Sequence, residues 1–314
     1  MHRQYLKPLI AFLFGAACAS AGAQSLSGLM ADYQKVSAEG RTVHVLDLDN
    51  DSLLLNKNDG FYTSGLRYTR LHTLNTDTGA TTFGWRAGQE LYTASDIKLP
   101  PELVGPPNHP YAGWLFAGMF KENSRRDGTY TRLGIDVGCL GPCAGGESTQ
   151  TYFHRLLNQP EPKGWSKQVK NEVGVILYGE VAPVRWNLGP SVDITPNLHA
   201  RFGNIVTDGG VGVTVRAGQL NLLPNQSTVH GFVRMYGNAV GYNATLQGGY
   251  FSSHNPHTVE PKRWVGAAEA GVAWNKGAYG LRASLVRHSN EIRDLPNSIG
   301  SQNFVRLQIS YAPQ

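Results

Sequence analysis

The feature that most constrains this chain is a period of two. Segments of about nine to thirteen residues alternate apolar and polar positions, then break at Gly, Asn, Asp or Pro. Thr42–Asp49 (TVHVLDLD), Leu66–Thr73 (LRYTRLHT), Gly212–Gly218 (GVTVRAG), Ala278–Arg287 (AYGLRASLVR) and Asn303–Tyr311 (NFVRLQISY) are examples. Successive strand side chains point to opposite faces, so such a segment has one apolar and one polar side. Beyond the N-terminus no window approaches the ~18–20 apolar residues of a membrane helix, which excludes a polytopic helical protein. The 17 Pro argue against long helices, and the 3 Cys exclude a disulfide-dense scaffold. A sandwich, several β domains or a closed barrel remain.

The polar faces narrow the choice, because they carry charge. In Leu66–Thr73, Leu66, Tyr68, Arg70 and His72 oppose Arg67, Thr69, Leu71 and Thr73. Near the C-terminus Arg282, Ser284 and His288 face away from Leu281, Ala283 and Leu285. A transmembrane barrel needs lipid-facing apolar residues alternating with a polar interior, and aromatic girdles at its two ends. Tyr62, Trp85, Tyr92, Tyr111, Trp114, Trp186, Trp264 and Trp274 are candidates for the girdles, or for a soluble β core. Strands are expected near 42–50, 62–73, 80–92, 111–122, 128–139, 172–184, 188–203, 211–219, 228–240, 262–275, 278–289 and 302–311. That is twelve, an even number, as in single-chain bacterial barrels. Short connections follow strands two, four and ten, and longer ones follow strands one, three, five, nine and eleven. If direction alternates, the connections after strands one, three and five open on one rim, so their residues can converge.

Residues 1–23 have the form of a secretory signal: His2, Arg3 and Lys7, an apolar run from Pro8 to Ala19, then Ala21-Gly22-Ala23. The mature chain, 24–314, is expected to be one barrel domain. Losing Arg3 and Lys7 lowers the formal charge from +5 to +3, and no Lys/Arg stripe accompanies it, so no nucleic-acid partner is implied. Cys139 and Cys143 are then the remaining cysteines, and in an oxidising compartment they can pair across a short loop.

Two loops carry candidate chemistry. The first runs Asp47-Leu48-Asp49-Asn50-Asp51, then Asn56, Asn58 and Asp59, then Tyr62-Thr63-Ser64-Gly65. Its oxygens suit a hard cation such as Ca²⁺, though it lacks the EF-hand pattern, and ordinary Asx turns would use the same residues. The third loop holds an unbroken Glu147–Leu157, with Ser148 or Thr149 able to cap a helix. Gln150 and His154 are four apart and share a face. A His can act as a general base near neutrality, though a lone surface His is more often inert. No G-x-S-x-G, H-E-x-x-H or Gly-rich phosphate loop is present, so a common serine hydrolase, a zincin and a nucleotide enzyme have little support.

Three blocks resemble the outer-membrane lipid A 3′-O-deacylases, the LpxR-like family. Asn50-Asp51, Asp59 and Tyr62-Thr63-Ser64-Gly65-Leu66-Arg67 resemble that family's "ND…D.YTnG.R". His109-Pro110-Tyr111-Ala112-Gly113-Trp114 resembles its "rPYAGW". Gly141-Pro142, Gln150, His154, Pro162-Lys163-Gly164-Trp165, Gln168 and Asn171-Glu172 resemble its "GP…Q…H…pkGW..Q..nE". The resemblance spans about Asp47 to Glu172. It implies a twelve-stranded antiparallel transmembrane β-barrel of the Gram-negative outer membrane, monomeric, with an outward-facing site partly carried by an extracellular-loop helix. It implies a mechanism like that of phospholipase A2, acting on the 3′-linked acyloxyacyl ester of lipid A. His154 would activate water. Asp51 would hold Ca²⁺, with Asn50, Thr63 and Gln150 completing or supporting the site, and Lys98 would meet a lipid A phosphate. The acidic residue some relatives carry after the His is matched here by Glu161, with a shift. Two other functions fit the same strands: a phospholipase A-type esterase, and a non-catalytic barrel or channel.

Overall fold

The computed structural model of the chain describes residues 25–51, 60–224 and 226–313. The signal segment 1–23, and Asn56, Asn58 and Asp59 of the first loop, lie outside these residues. The alternating segments form one antiparallel sheet of thirteen strands, one of which is the two-residue Trp186–Asn187. The other twelve are β1 Arg41–Asn50, β2 Phe61–Asn75, β3 Gly79–Thr93, β4 Ala112–Arg125, β5 Tyr130–Leu140, β6 Glu172–Ala182, β7 Val192–Gly203, β8 Val206–Gln219, β9 Thr228–Asn243, β10 Trp264–Lys276, β11 Tyr279–His288 and β12 Gln302–Tyr311. Two pairings complete the ring. β1 pairs with β12 (His44 opposite Tyr311), and β6 pairs with β7 (Ile176 opposite Gly203). Closure leaves no unpaired edge, which a hydrocarbon environment requires.

The expected strands are all present, with shifted ends. The segment expected at 188–203 is the one that changes character. Trp186–Asn187 folds back on Ile194 and Asp193, residues 188–191 turn, and the spanning strand starts at Val192. One end of the barrel has tight connections at 76–78, 126–129 and 277–278. Gly277 takes a positive φ of 64° in the last of these, a conformation that costs glycine least. The other end carries the long connections 51–60, 94–111, 141–171, 244–263 and 289–301. It also has one short connection, at 204–205.

The lumen is polar and paired. Arg306 donates two bonds to Asp49 at 2.7 and 2.8 Å, Arg282 lies 3.2 Å from Glu269, and Arg86 and Arg201 grip Asp136 and Asp208. The opposite face is apolar and exposed: Leu46, Leu66, Tyr68, Leu115, Val137, Leu281 and Leu285. Trp85, Trp186, Trp264 and Trp274 lie on that outer face, as girdle residues should. Tyr62, Tyr92, Tyr111 and Trp114 do not. Trp114 points inward and stacks on Phe116 at 6.0 Å, and its ring fills the space over Gly174. Aromatic type is the same for both groups, and strand parity separates them.

A helix, α1 (Leu26–Glu39), precedes the barrel. Ser25 caps it by accepting from the Gly28 N–H at 3.2 Å. It lies on the outside, at the tight-turn end. Tyr33 packs edge-on against Phe83 and Trp85, and Asp32 pairs with Lys121 at 2.7 Å.

Candidate active site

The outer end of β3 organises the site. Gly65, Arg67 and Glu90 face the lumen, so their neighbours Leu66, Gln89 and Leu91 face outward. By the same parity Asp47 and Asp49 point inward to Gln308 and Arg306, and Asn50 points outward beside Ser64. A bulge between Tyr62 and Ser64 inserts Thr63 on the same outer wall. Thr63 Oγ1 lies 2.7 Å from Thr93 Oγ1, and Thr93 donates to the Ala94 carbonyl at 3.3 Å. Thr93 has a single hydroxyl proton, so Thr63 is the donor between them and keeps oxygen lone pairs for a further partner. Asp51 is 5 % exposed and accepts from the Gly60 N–H at 3.1 Å, and Gly60 abuts Ala94 and Ser95.

The second half of the site is draped over this wall. Cys139 and Cys143 are disulfide-bonded, with Cα atoms 6.0 Å apart, at the root of the 141–171 loop. Gln89 Nε2 donates to the Ala144 carbonyl at 2.7 Å. Helix α2 (Gly146–Leu156) then follows, starting one residue before the expected Glu147. Its N-cap is Gly145 at φ 68°, and Ser148 and Thr149 lie inside the first turn. A Cβ on Gly146 would come within 2.6 Å of Trp165 and 2.9 Å of Leu91, so the helix packs closer to the wall than a side chain there would allow. Leu91, Ala94, Val104, Tyr111 and Trp165 form a small core beneath it.

One face of α2 is buried, and it carries Gly146, Gln150 and His154 at i, i+4 and i+8. His154 Nδ1 lies 2.6 Å from the Pro160 carbonyl. A carbonyl only accepts, so Nδ1 bears the proton and Nε2 is left as the basic nitrogen. Gln150 Oε1 accepts from the Trp165 indole N–H at 2.9 Å, which fixes the amide orientation. Its Nε2 is buried and has no hydrogen-bond partner among the described residues. Gln150 therefore offers donors, and one lone pair of its oxygen is already engaged. The rest of α2 is apolar and open: Tyr152, Phe153 and Leu156, with Leu157 just past its end, are 47–65 % exposed.

Lys98 is exposed on the 94–111 loop, its backbone N–H on Asp96 at 2.9 Å. The Lys163 N–H donates to the Ile97 carbonyl at 2.9 Å, so Lys98 stands next to the segment that positions His154. Glu161 is turned away. It is bound by Arg155 at 2.8 Å, and this guanidinium holds its carboxyl below the usual range. The His109 ring is fully buried, stacks on Tyr92 and bonds the Pro110 carbonyl at 2.6 Å. Burial pulls its pKa down to about 4, against the bond to Pro110 and with help from His257.

Among the described residues no three His, Cys, Asp or Glu side chains converge on a metal-sized space. A cation here would have Asp51 as its carboxylate and neutral oxygens for the rest. Thr63, with its lone pairs, and the outward Asn50 amide are of the right hard-donor type for Ca²⁺. Gln150, also expected as a ligand, has one lone pair of Oε1 engaged by the Trp165 indole and a second left on that oxygen. Asn50, Asp51 and Thr63 lie on the wall and Gln150 and His154 on α2, and each group is anchored to residues within 89–95. Sequence reasoning assigned no role to Thr93, Trp165 or the Pro160 carbonyl. Trp165 stood in a quoted motif. Thr93 had no signal beyond its parity with Leu91.

Comparison with known proteins agrees with the fold. The family model described as "Outer membrane protein LpxR" matches residues 9–312. Among solved structures, LpxR from Salmonella typhimurium superposes with a TM-score of 0.73 at 21% identity, covering 86% of this chain and 99% of that one. The β domain of the Bordetella autotransporter BrkA gives 0.49 at 10% identity, covering 87% and 98%, too slight a likeness to argue from. No curated protein sequence matches.

Proposed function

Because this chain belongs to the LpxR family of outer-membrane proteins, we propose that it is a lipid A 3′-O-deacylase whose base is His154. The protein resides in the Gram-negative outer membrane, crossing it with strands. The observation that carries the reading is the pairing of His154 Nδ1 with the Pro160 carbonyl, on a helix laid against the outward wall. The same helix leaves Tyr152, Phe153, Leu156 and Leu157 exposed, an apolar surface beside the base that suits acyl chains.

The chemistry follows from these positions. Nε2 of His154 takes the proton of a water attacking the ester carbonyl, then returns it to the departing sugar oxygen. The Gln150 amide, held by Trp165, offers N–H groups to the charge that develops on the carbonyl oxygen. Lys98 and Lys163 form a basic edge for the anionic sugar headgroup. Asp51, Asn50 and Thr63 would hold Ca²⁺, which when bound supplies Lewis-acid stabilisation of that carbonyl oxygen. With a single carboxylate in the set, binding is expected at roughly 10⁻⁴–10⁻³ M, the class of extracellular modules.

The test is mass spectrometry of lipid A from cells expressing the wild type or His154→Ala, with chelator added in a detergent assay. The 3′-linked acyl groups should disappear with the wild type alone, and the variant should lose about 10²–10⁴-fold in rate. Calcium should restore chelated enzyme. Unchanged lipid A beside a correctly inserted wild-type barrel would refute the proposal, and release of lysophospholipid in that case would favour a phospholipase A-type esterase.

A further inference from the structure

At the end with the long connections, the lipid-facing wall of β10 and β11 is hollowed beside the 289–301 connection into a recess of ≈ 470 Å³. Trp264, Gly266 and Ala268 are outward residues of β10, since Glu269 next to them points inward to Arg282. Arg287 stands opposite Ala268 on β11 and shares the outward parity of Leu285. Lys262 enters from the connection before β10, and Asn297 from the helical turn Asn297–Gly300. The described lining thus holds two cations, one large aromatic ring and no carboxylate. Trp264 is 71 % exposed, the most exposed tryptophan of the chain.

The recess is built on fixed backbone. The Lys262 N–H donates to the Glu291 carbonyl at 2.7 Å, and Pro261 bridges to Ile292, which laces the two connections together. The Gly266 N–H donates to Ser289 Oγ at 2.9 Å, and the Ser289 N–H returns to the Gly266 carbonyl at 2.8 Å. The Lys262 ammonium donates to Asn297 Oδ1, and Arg287 Nη1 donates to Asn303 Oδ1 at 3.2 Å. Each of these bonds occupies one donor, where an ammonium has three and a guanidinium five, and Arg287 is exposed. The other charges nearby are directed elsewhere. Glu260 is paired with Arg293 at 3.4 Å, Arg263 donates to the Val240 and Gly241 carbonyls, and the exposed Asp294 is outside the lining. Cations on the lipid side of a barrel are costly unless anionic headgroups meet them, and guanidinium and ammonium groups are strong phosphate donors.

We propose that this recess seats a lipid A molecule of the surrounding outer leaflet, with Lys262 and Arg287 on its phosphate groups and Trp264 at the boundary between sugar and acyl chains. The long-connection end of such a barrel faces outward, which places the recess in that leaflet. β10 stands five strands round the ring from β3, so a lipid held here is not the one presented to His154, and the proposal holds whether or not the chain is a deacylase. Native mass spectrometry of the full chain in non-ionic detergent, titrated with lipid A, tests it. Bound lipid is counted with or without its 3′-linked groups, so turnover does not alter the count. The wild type should hold one lipid A more than the Lys262→Gln/Arg287→Gln double variant, and Arg287→Gln alone should weaken that extra binding roughly tenfold. Arg293→Gln removes the same charge outside the recess and should leave it unchanged. If the double variant lacks the heat-modifiable mobility of a folded barrel, Arg287→Gln, on an exposed side chain, carries the test. Lipid A stripped of its phosphates should give equal counts for wild type and variant. Equal counts with intact lipid A, or an extra molecule of the stripped lipid on the wild type, would overturn the proposal. Phosphatidylglycerol filling the recess as readily as lipid A would overturn the assignment to lipid A.

Discussion

At the scale of single residues, the site depends on which atom of a side chain is already engaged. Gln150 is the clearest case, because Trp165 takes up its oxygen and its nitrogen has no partner among the described residues. Trp165→Phe keeps the ring but frees the amide to rotate. Its catalytic rate should fall roughly tenfold to a hundredfold with the barrel intact, and Gln150→Met should fall at least as far. Deacylation rates at saturating lipid A, beside heat-modifiability on gels, check this. A Trp165→Phe enzyme as fast as wild type would mean that the Gln150 orientation does not matter. His109 makes a different prediction. Its folded pKa of about 4 lies below the ordinary 6.5, so the unfolded state binds more protons between those values. Stability is therefore whole above pH 6.5 and drains away as pH falls towards 4, by about 3 kcal/mol in all. Thermal midpoints at pH 7 and pH 5 should differ more for the wild type than for His109→Phe, which keeps the stacking on Tyr92 but cannot titrate.

At the scale of elements, the long loops are fixed by a few anchors rather than by regular structure. Glu172, the first residue of β6, accepts from the backbone N–H groups of Tyr250, Phe251 and Ser252, each at 2.9 Å, and from Asn204 at 2.7 Å. Gly249 leaves room for that carboxylate, since a Cβ there would sit 2.1 Å from it. Asn171 accepts from the Cys143 N–H at 2.8 Å and so ties the disulfide loop to the same strand end. The Asn-Glu pair read in a motif is thus a clasp between loops. Glu172→Gln keeps the shape and loses the charge on these bonds. Loop docking should weaken by about 2 kcal/mol, seen as faster proteolytic nicking within 244–262 while the barrel stays folded. Unchanged nicking would show that the loop is held elsewhere, for instance by Phe61, Leu246, Val259, Ile292 and Leu295, which pack together beneath it.

At the scale of the molecule, the barrel is closed in both senses. Its strands leave no edge, and its lumen is crossed by guanidinium–carboxylate pairs that include Arg306 with Asp49 and Arg86 with Asp136. Ions would have to pass between fixed, mutually satisfied charges. Purified protein in planar bilayers should therefore show no steady single-channel steps, and reproducible steps would return the channel reading to favour. Because the lumen is polar and crossed by these pairs, the apolar surface that lipids meet is the outer wall. There, the outward residues Gln89 and Leu91 of β3 hold the start of α2.

The sequence by itself determined what depends on local period. Alternation marked all twelve spanning strands, the missing breakers from Glu147 to Leu157 marked α2, and odd–even counting put Asn50, Lys98 and His154 at one end. These are short-range properties, set by side-chain direction along a strand or around a helical turn. Tertiary structure alone decided the rest. Period two says that faces differ, but register and closure decide that Trp114 points inward and Trp264 outward. It took the folded loop to put Pro160, rather than Glu161, behind His154, and Trp165 on Gln150. The site's position on the outer wall was equally out of reach, because it follows from Gly146 fitting against Leu91, a contact across 55 positions in the chain on the scale of the Gln89–Ala144 bond beside it. Such contacts join residues whose own neighbours carry no trace of the partner. Only closing the sheet and folding the loop over it makes them.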